Sequence, residues 1–352
     1  MSANFPAGQP AFLRGLFDRA VEVADPMQVI PQILPPRPER LTVIGAGKAS
    51  ARMAEAVESV WGPCEGLVIT RYGYARPCKG IEIVEAAHPV PDEAGIAATR
   101  RMLSLVEGLG EEDFVLALIS GGGSALLCAP ADGLTLADKQ AVTEGLLASG
   151  APIGEINGIR KQLSAVKGGK LAAAAGPARM LALMISDVPG DDPGDIASGP
   201  TVGDTGDAAL AVTALAHWNV DVPPSVADYL ARGGMTVPPG DPRLGRVENR
   251  IIAAPSQSLD AAAELAREAG CAVEILGDAI EGEAREVASQ HAQIALDRQA
   301  GMAPGDPPRV LLSGGELTVT RRGDGVGGPN AEYALALAVA LDGAPGIHAI
   351  AC

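Results

Sequence analysis

Three short apolar runs, Leu41–Ile44, Phe114–Ile119 and Met180–Ile185, each pass without a break into a loop of glycine or aspartate. Apolar runs this short, bounded by turn residues, read as buried strands. Leu67–Thr70 and Ile81–Ala86 repeat the pattern. Helical spacing separates the runs, over Ala49–Val60, Asp92–Val106, Leu134–Ser149 and Gly158–Ala175, after a first amphipathic helix at Ala11–Val23. Such β-α alternation predicts an α/β fold with a mostly parallel sheet covered by helices. Open sheets of this kind keep their chemistry in the loops at the carboxyl ends of the strands. The three loops therefore constrain function as well as fold.

The most charged of them is Ile185–Thr201, ISDVPGDDPGDIASGPT, in which Asp187, Asp191, Asp192 and Asp195 stand among Pro189, Gly190, Pro193 and Gly194. Proline and glycine hold this backbone out of helix and strand. Clustered carboxylates repel one another unless a cation offsets them, so the loop suits Mg²⁺, or Mg²⁺ carried by phosphates. A solvated turn using aspartate for local hydrogen bonds is the alternative. Just upstream, NGIRKQLSAVKGGK (Asn157–Lys170) carries Arg160, Lys161, Lys167 and Lys170 with no acid, in a chain of net charge -16. The spacing predicts a helix with basic rows, capped by Asn157, whose free N–H groups could meet an anion. A basic helix beside an acidic loop is what a magnesium–nucleotide substrate requires.

The first loop, GAGKAS, is not a P-loop, because the G-x-x-x-x-G-K-[ST] spacing is missing. It matches a dinucleotide fingerprint only in part: Gly45 and Gly47 fit, Ser50 stands at the third glycine, and Arg71 after the second strand would suit an NADP phosphate. In a third reading Lys48 is a cation for a phosphate or a transition state. The SGGGS loop offers Gly121, Gly122 and Gly123 as a nest of N–H groups for phosphate or carboxylate. Ser124 lacks the surroundings of a nucleophile elbow. His88, in AHPVPDEAG, reads as a hydrogen-bonded structural residue.

A length of 352 residues predicts two domains. VPPGDP (Val237–Pro242) reads as the linker, giving domains 1–236 and 243–352. The second would comprise strands Arg250–Ala254, Ala272–Leu276, Arg309–Leu312 and Leu317–Thr320 with helices Leu259–Glu268, Gly282–Arg298 and Ala331–Leu341. Aromatic content of 3% and a pI near 4.7 argue against nucleic acid as a partner. Five cysteines without C-x-x-C spacing give neither a zinc site nor a disulfide framework, which suits a cytoplasmic protein. No signal peptide or membrane span is read.

Taken in order, VIGAGKAS, HPVPDEAG, LISGGGSALL, NGIRKQLSAVKGGKLA, ISDVPGDDPGDIASGPT, LLSGGELTVT and GGPNAEYALALA resemble the glycerate 2-kinase family, from about Leu13 to Cys352. The resemblance implies phosphorylation of D-glycerate to 2-phosphoglycerate by ATP with Mg²⁺. It also implies a Rossmann-like N-terminal domain and a smaller α/β C-terminal domain of MOFRL type, with the site in the cleft between them. The lysine of the family's GAGK motif falls on Lys48, expected at the transferring phosphoryl group. Arg160 and Lys161 are expected to neutralise substrate charge, near Asn157. Gly45 and Gly47, with Gly121, Gly122, Gly123 and Ser124, are expected to cradle phosphate or carboxylate. Asp187 and Asp191 are expected to hold Mg²⁺, or Asp187 to accept the hydroxyl proton. Gly314, Gly315, Glu316, Asn330 and Glu332 are expected to contribute from the second domain.

Two departures stand out. Pro329 occupies the arginine position of a G-G-R-N motif, so Arg321, Arg322 or Arg160 would have to serve. The strand expected at Ile347–Ala351 is followed in relatives by a further loop, so the C-terminal domain is expected to be incomplete. A monomer or homodimer fits. The alternatives are an NAD(P)H-dependent hydroxypyruvate reductase and an inactive ligand-binding relative.

Overall fold

The structure is a computed structural model that describes residues 8–233, 236–320, 323 and 325–352. The chain divides into two compact units, Pro26–Ile252 and the N-terminal segment through Asp25 together with Ala253–Cys352. The first helix, α1 (Gln9–Glu22), thus belongs with the C-terminal residues.

The larger unit is built on β1 (Leu41–Ala46), β2 (Gly66–Arg71), β3 (Ile81–Ala86), β4 (Phe114–Ile119), β5 (Arg179–Ile185) and β6 (Val247–Ala253), in the order β3-β2-β1-β4-β5-β6. The pairs β1–β2, β2–β3, β1–β4 and β4–β5 are all parallel. This is the doubly wound Rossmann order, in which the winding reverses between β1 and β4. Every residue of β4 is buried, as an unbroken FVLALI run at the sheet's centre demands.

Its helices are α2 (Pro26–Ile33), α3 (Ser50–Trp61), α4 (Glu93–Val106), α5 (Gly123–Leu126), α6 (Leu136–Ser149), α7 (Ile153–Gln162), α8 (Lys170–Ala174), α9 (Ala208–His217) and α10 (Pro224–Ala231). Alternation along the strands feeds two cores. Ile44, Val115, Ala117, Ile119, Ala182 and Met184 pack with Met102 and Val106 of α4. Val43, Leu116, Leu118, Leu181 and Leu183 pack on the other face with Met53 and Val57 of α3. Asp92 caps α4 by accepting from Gly95 N at 3.0 Å.

Several boundaries differ from the sequence reading. The proline-rich stretch after Asp25 contains α2, which tolerates Pro26 in its first turn and Pro31 inside. The single helix expected over Gly158–Ala175 is α7 and α8, separated by a turn in which Gly168 and Gly169 take φ of 57° and 78°. Asn157 therefore sits inside α7, whose N-cap is Pro152, and caps nothing. The weakly patterned region after Thr201 holds α9 and α10. Val237–Pro242 is no linker: Val237 is buried, and its backbone bonds Gly168 and Asp204 at 2.9 and 2.8 Å. The strand expected to open the second domain is β6, the sixth strand of the first sheet.

The smaller unit contains α11 (Pro255–Glu268), β7 (Ala272–Glu283), α12 (Ala284–Ala300), β8 (Arg309–Thr318) and α13 (Pro329–Leu341), with β7 and β8 paired in parallel. Leu16 of α1 packs with Ala262, Ala266, Cys271 and Val310. The two strands expected at Arg309–Leu312 and Leu317–Thr320 are not separated by a loop at SGGE. Ser313–Glu316 lie within the continuous strand β8, and Gly315 and Glu316 pair with Ile280 and Glu281. A Cβ on Gly315 would lie 2.1 Å from Ile280 O, so glycine there serves backbone packing. Pro329 opens α13, where its missing N–H costs nothing. Ile347–Ala351 forms no strand. Arg321 and Arg322 lie outside the described residues.

Candidate active site

The carboxyl ends of β1, β3, β4 and β5 meet at one loop, Ser120–Ser124. Lys48 follows β1, and its N–H donates to Gly121 O at 2.8 Å. A Cβ on Gly121 would lie 2.0 Å from Asp187 Oδ2, and one on Gly122 would lie 2.9 Å from His88 Nε2 and 3.1 Å from Lys48 Cγ. One on Gly123 would lie 2.6 Å from the Cβ of Ala197. The three glycines are thus the gap through which Lys48, His88, Asp187 and the acidic loop approach one another. Lys48 Nζ stands 3.8 Å from Asp187 Oδ2, with side chains 38% and 39% exposed, so solvent or a substrate reaches both. The N–H groups of Gly121 and Gly122 have no acceptor among the described residues. They remain available to an anion.

Gly45 and Gly47 have a different task. A Cβ at Gly45 would lie 2.4 Å from Leu118 O, and one at Gly47 would lie 2.1 Å from Ser120 Oγ. Ser120 Oγ also accepts from Ala49 N and bonds Ser50 Oγ, both at 3.0 Å. The absent side chains of GAGKAS are filled by β4 and its loop.

The acidic loop is held in a strained form. Asp191, Ala197 and Ser198 have φ of 54°, 53° and 63°, uncommon for residues other than glycine. Ser198 Oγ bonds Ser124 Oγ at 2.8 Å, and Ser198 O accepts from Gly168 N at 3.1 Å. These bonds tie the acidic loop both to the glycine loop and to the turn between α7 and α8. Among the described residues no group of three or more His, Cys, Asp or Glu could by itself hold a metal ion.

Behind the glycine loop lies a basic cluster. Lys167, 2% exposed, donates to Ser124 O at 2.8 Å and Leu127 O at 3.4 Å, closing the end of α5. Lys170 donates to the carbonyls of Lys161, Gln162 and Ser164, closing the end of α7. Lys139 reaches Cys128 Sγ at 3.7 Å. Lys161, expected to neutralise substrate charge, is bound to Asp204 at 2.7 Å and approaches Asp195 at 3.8 Å. Arg160, half-buried in the last turn of α7, makes no ion pair among the described residues. Two positions on, the buried amide of Gln162 has no partner for either polar atom. A partly buried guanidinium without an anion is costly, and a bound anion would relieve it.

Burial, then the neighbouring Lys139, pushes the Lys167 ammonium down to about 7, and burial pushes Lys170 down to about 8. The unfolded chain then binds more protons than the folded one above those values, so stability rises with pH. Denaturant unfolding is expected to show a more stable protein at pH 9 than at pH 7, and Lys167→Met is expected to remove part of that gain. A flat profile in the parent would contradict it.

Asp191 lies on the acidic loop, and Gly314, Gly315, Glu316, Asn330 and Glu332 belong to the smaller unit, where Glu332 pairs with Arg285 at 3.0 Å. Sequence reasoning passed over Ser198 and Lys139, and took His88 as structural. Only the break between α7 and α8 reveals Lys167 as the support of the glycine loop.

The family model described as "Domain of unknown function (DUF4147)" matches residues 12–231, and that of the MOFRL family matches residues 309–352. The D-glycerate 2-kinase of Thermotoga maritima is 39% identical over 333 residues, covering 94% of this chain and 78% of its own. The chain belongs to the glycerate 2-kinase family. A crystal structure of glycerate kinase from Thermotoga maritima superposes with a TM-score of 0.82 at 37% identity, covering 95% of this chain and 80% of that one. A relative from Agrobacterium vitis, 52% identical over 346 residues (96% of this chain, 78% of its own), carries a provisional hydroxypyruvate reductase name.

Proposed function

We propose that this chain transfers the γ-phosphoryl group of ATP to the 2-hydroxyl of D-glycerate. The observation that carries the reading is Lys48 and Asp187 converging on the Gly121–Gly123 loop at the sheet's switch point. Phosphoryl transfer requires positioned reactants and neutralised charge more than covalent help. Lys48 supplies a positive charge to the transferring phosphoryl oxygens. The free N–H groups of Gly121 and Gly122 receive phosphate or the glycerate carboxylate. Asp187, held beside Lys48, accepts the proton of the attacking hydroxyl. Arg160 offers the unneutralised cation to a substrate anion.

Asp187 and Asp191 are the carboxylates that would hold Mg²⁺, which supplies charge neutralisation to the nucleotide phosphates when bound. Mg²⁺ prefers a few carboxylates together with phosphate oxygens, so two aspartates suit a cation that arrives with the nucleotide. The family likeness supports the substrate class, and no helix among the described residues is long and apolar enough to cross a membrane.

The test is ADP release on mixing the protein with D-glycerate and ATP, with phosphorus NMR to place the phosphate. The expected product is 2-phosphoglycerate. Oxidation of NADH on adding hydroxypyruvate, without ADP release from D-glycerate, would replace this reading with the reductase.

A further inference from the structure

Arg71 is the residue that the kinase chemistry leaves unused. It ends β2, whose pairing with β1 runs to Ala46↔Ile69, and the preceding residue, Thr70, donates its hydroxyl to the Lys48 carbonyl at 3.5 Å. Gly47 N donates to Ile69 O at 3.1 Å, which carries the pairing past the end of β1. The Arg71 guanidinium lies 3.8 Å from the centroid of the Tyr74 ring, a close cation–π stack. Tyr72 and Tyr74 are 57% and 45% exposed, in a chain with only four tyrosines, four phenylalanines and two tryptophans.

An exposed aromatic on a surface loop normally moves. This loop is fixed. Glu85 Oε1 accepts from the N–H groups of Gly73, Tyr74 and Ala75 at 2.6, 3.1 and 3.3 Å. Tyr74 N also donates to Arg71 O at 3.1 Å, and Tyr72 OH donates to Asp92 at 2.8 Å. The segment after β2 is thus a rigid guanidinium–phenol stack with an accessible face, one strand away from the lysine assigned to the phosphoryl group. A purine offers a flat π-face to such a stack without needing edge-specific hydrogen bonds. In doubly wound sheets the end of the second strand is also where the nucleoside part of a bound nucleotide lies when its phosphates meet the first βα turn.

We propose that Tyr74, stacked on Arg71, is the platform on which the base of the nucleotide packs; the assignment rests on the kinase reading above. The platform orders the base while Lys48 and the glycine loop hold the phosphates. Base stacking is separable from phosphate binding, so the two are measured apart. Calorimetry on the full chain uses ADP and inorganic tripolyphosphate as probes. Tyr74→Ala is expected to weaken ADP on the order of tenfold and to leave tripolyphosphate within about twofold. Tyr74→Phe keeps the ring and is expected to bind both as the parent does. Thermal melting checks that the substitutions, at an exposed side chain, leave the fold intact.

Unchanged ADP affinity in a folded Tyr74→Ala protein that still phosphorylates D-glycerate overturns the platform and spares the kinase. Equal weakening of ADP and tripolyphosphate overturns it too, because the ring would then only support the loop. A parent that binds neither probe and releases no ADP overturns both.

Discussion

Lys48→Ala is expected to lower kcat on the order of 10²–10³-fold while leaving the melting temperature close to that of the parent. The side chain is 38% exposed, and its nearest charged partner, Asp187, is equally open to solvent, so the pair contributes little to folding. Its backbone N–H and carbonyl, which hold the loop to Gly121 and Thr70, survive the substitution. What disappears is a preorganised cation at the switch point. Removing one such electrostatic group from a transition state costs on the order of 10²–10³ in rate. Lys48→Arg should recover only part of the loss, because a planar fork does not reproduce a compact ammonium. Steady-state kinetics with D-glycerate and ATP, read beside thermal melting, decide the matter. Near-parental turnover in a folded Lys48→Ala protein would remove the residue from the mechanism and leave Arg160 as the cation to examine.

The elements that position Lys48 were legible because each rests on a local rule. FVLALI is too apolar to be anything but a central strand, and LTVIGA and RMLALMI flank it. Their loops carry glycine and aspartate, which no core strand would keep. What failed was the reading of segments whose form is set by partners distant in sequence. Alanine-rich residues around Gly158–Ala175 look like one helix, but Gly168 and Gly169 turn the chain so that it meets Ser198 and Gly199. SGGE resembles SGGGS, yet in β8 it pairs with a bulged strand, which no local pattern announces. Pro31 lies inside α2, a position where proline normally breaks a helix, and so hid it from a reading of the sequence.

The site itself was half legible. Sequence placed Lys48, Gly121–Ser124 and Asp187 on three different loops, and the sheet order brings them together. The roles of the basic residues were not separable beforehand. Arg160, Lys161, Lys167 and Lys170 look alike in a string of letters. Only packing shows that Lys161 is paired with Asp204, that Lys167 and Lys170 close helix ends, and that Arg160 makes no ion pair among the described residues. Ser198 was hidden for a related reason. A buried serine in a left-handed conformation is dictated by the hydrogen bonds around it and by nothing in its immediate sequence.

Gly121→Ala is expected to reduce kcat on the order of 10²-fold through Asp187 alone. The added Cβ would lie 2.0 Å from Asp187 Oδ2 and 2.4 Å from its Cγ, with no backbone atom among its nearest neighbours. Gly121 is outside the left-handed region, so alanine strains nothing at its own position. The clash falls on the carboxylate end of a side chain that is 39% exposed, and no backbone atom has to move. Folding is therefore preserved, in contrast to Gly47, where a Cβ would meet Ser120 O at 2.5 Å on a backbone of φ 145°. The carboxylate, however, must leave the place it holds beside Lys48, and a displacement of about 1 Å in a reacting group can cost on the order of 10² in rate. A double-mutant cycle isolates that route. If Gly121 acts by placing Asp187, then in an Asp187→Asn background Gly121→Ala should cost little more, so the two losses should be strongly non-additive. Additive losses would mean that the loop's own N–H groups carry the effect, and Asp187 would lose its assigned part in accepting the hydroxyl proton.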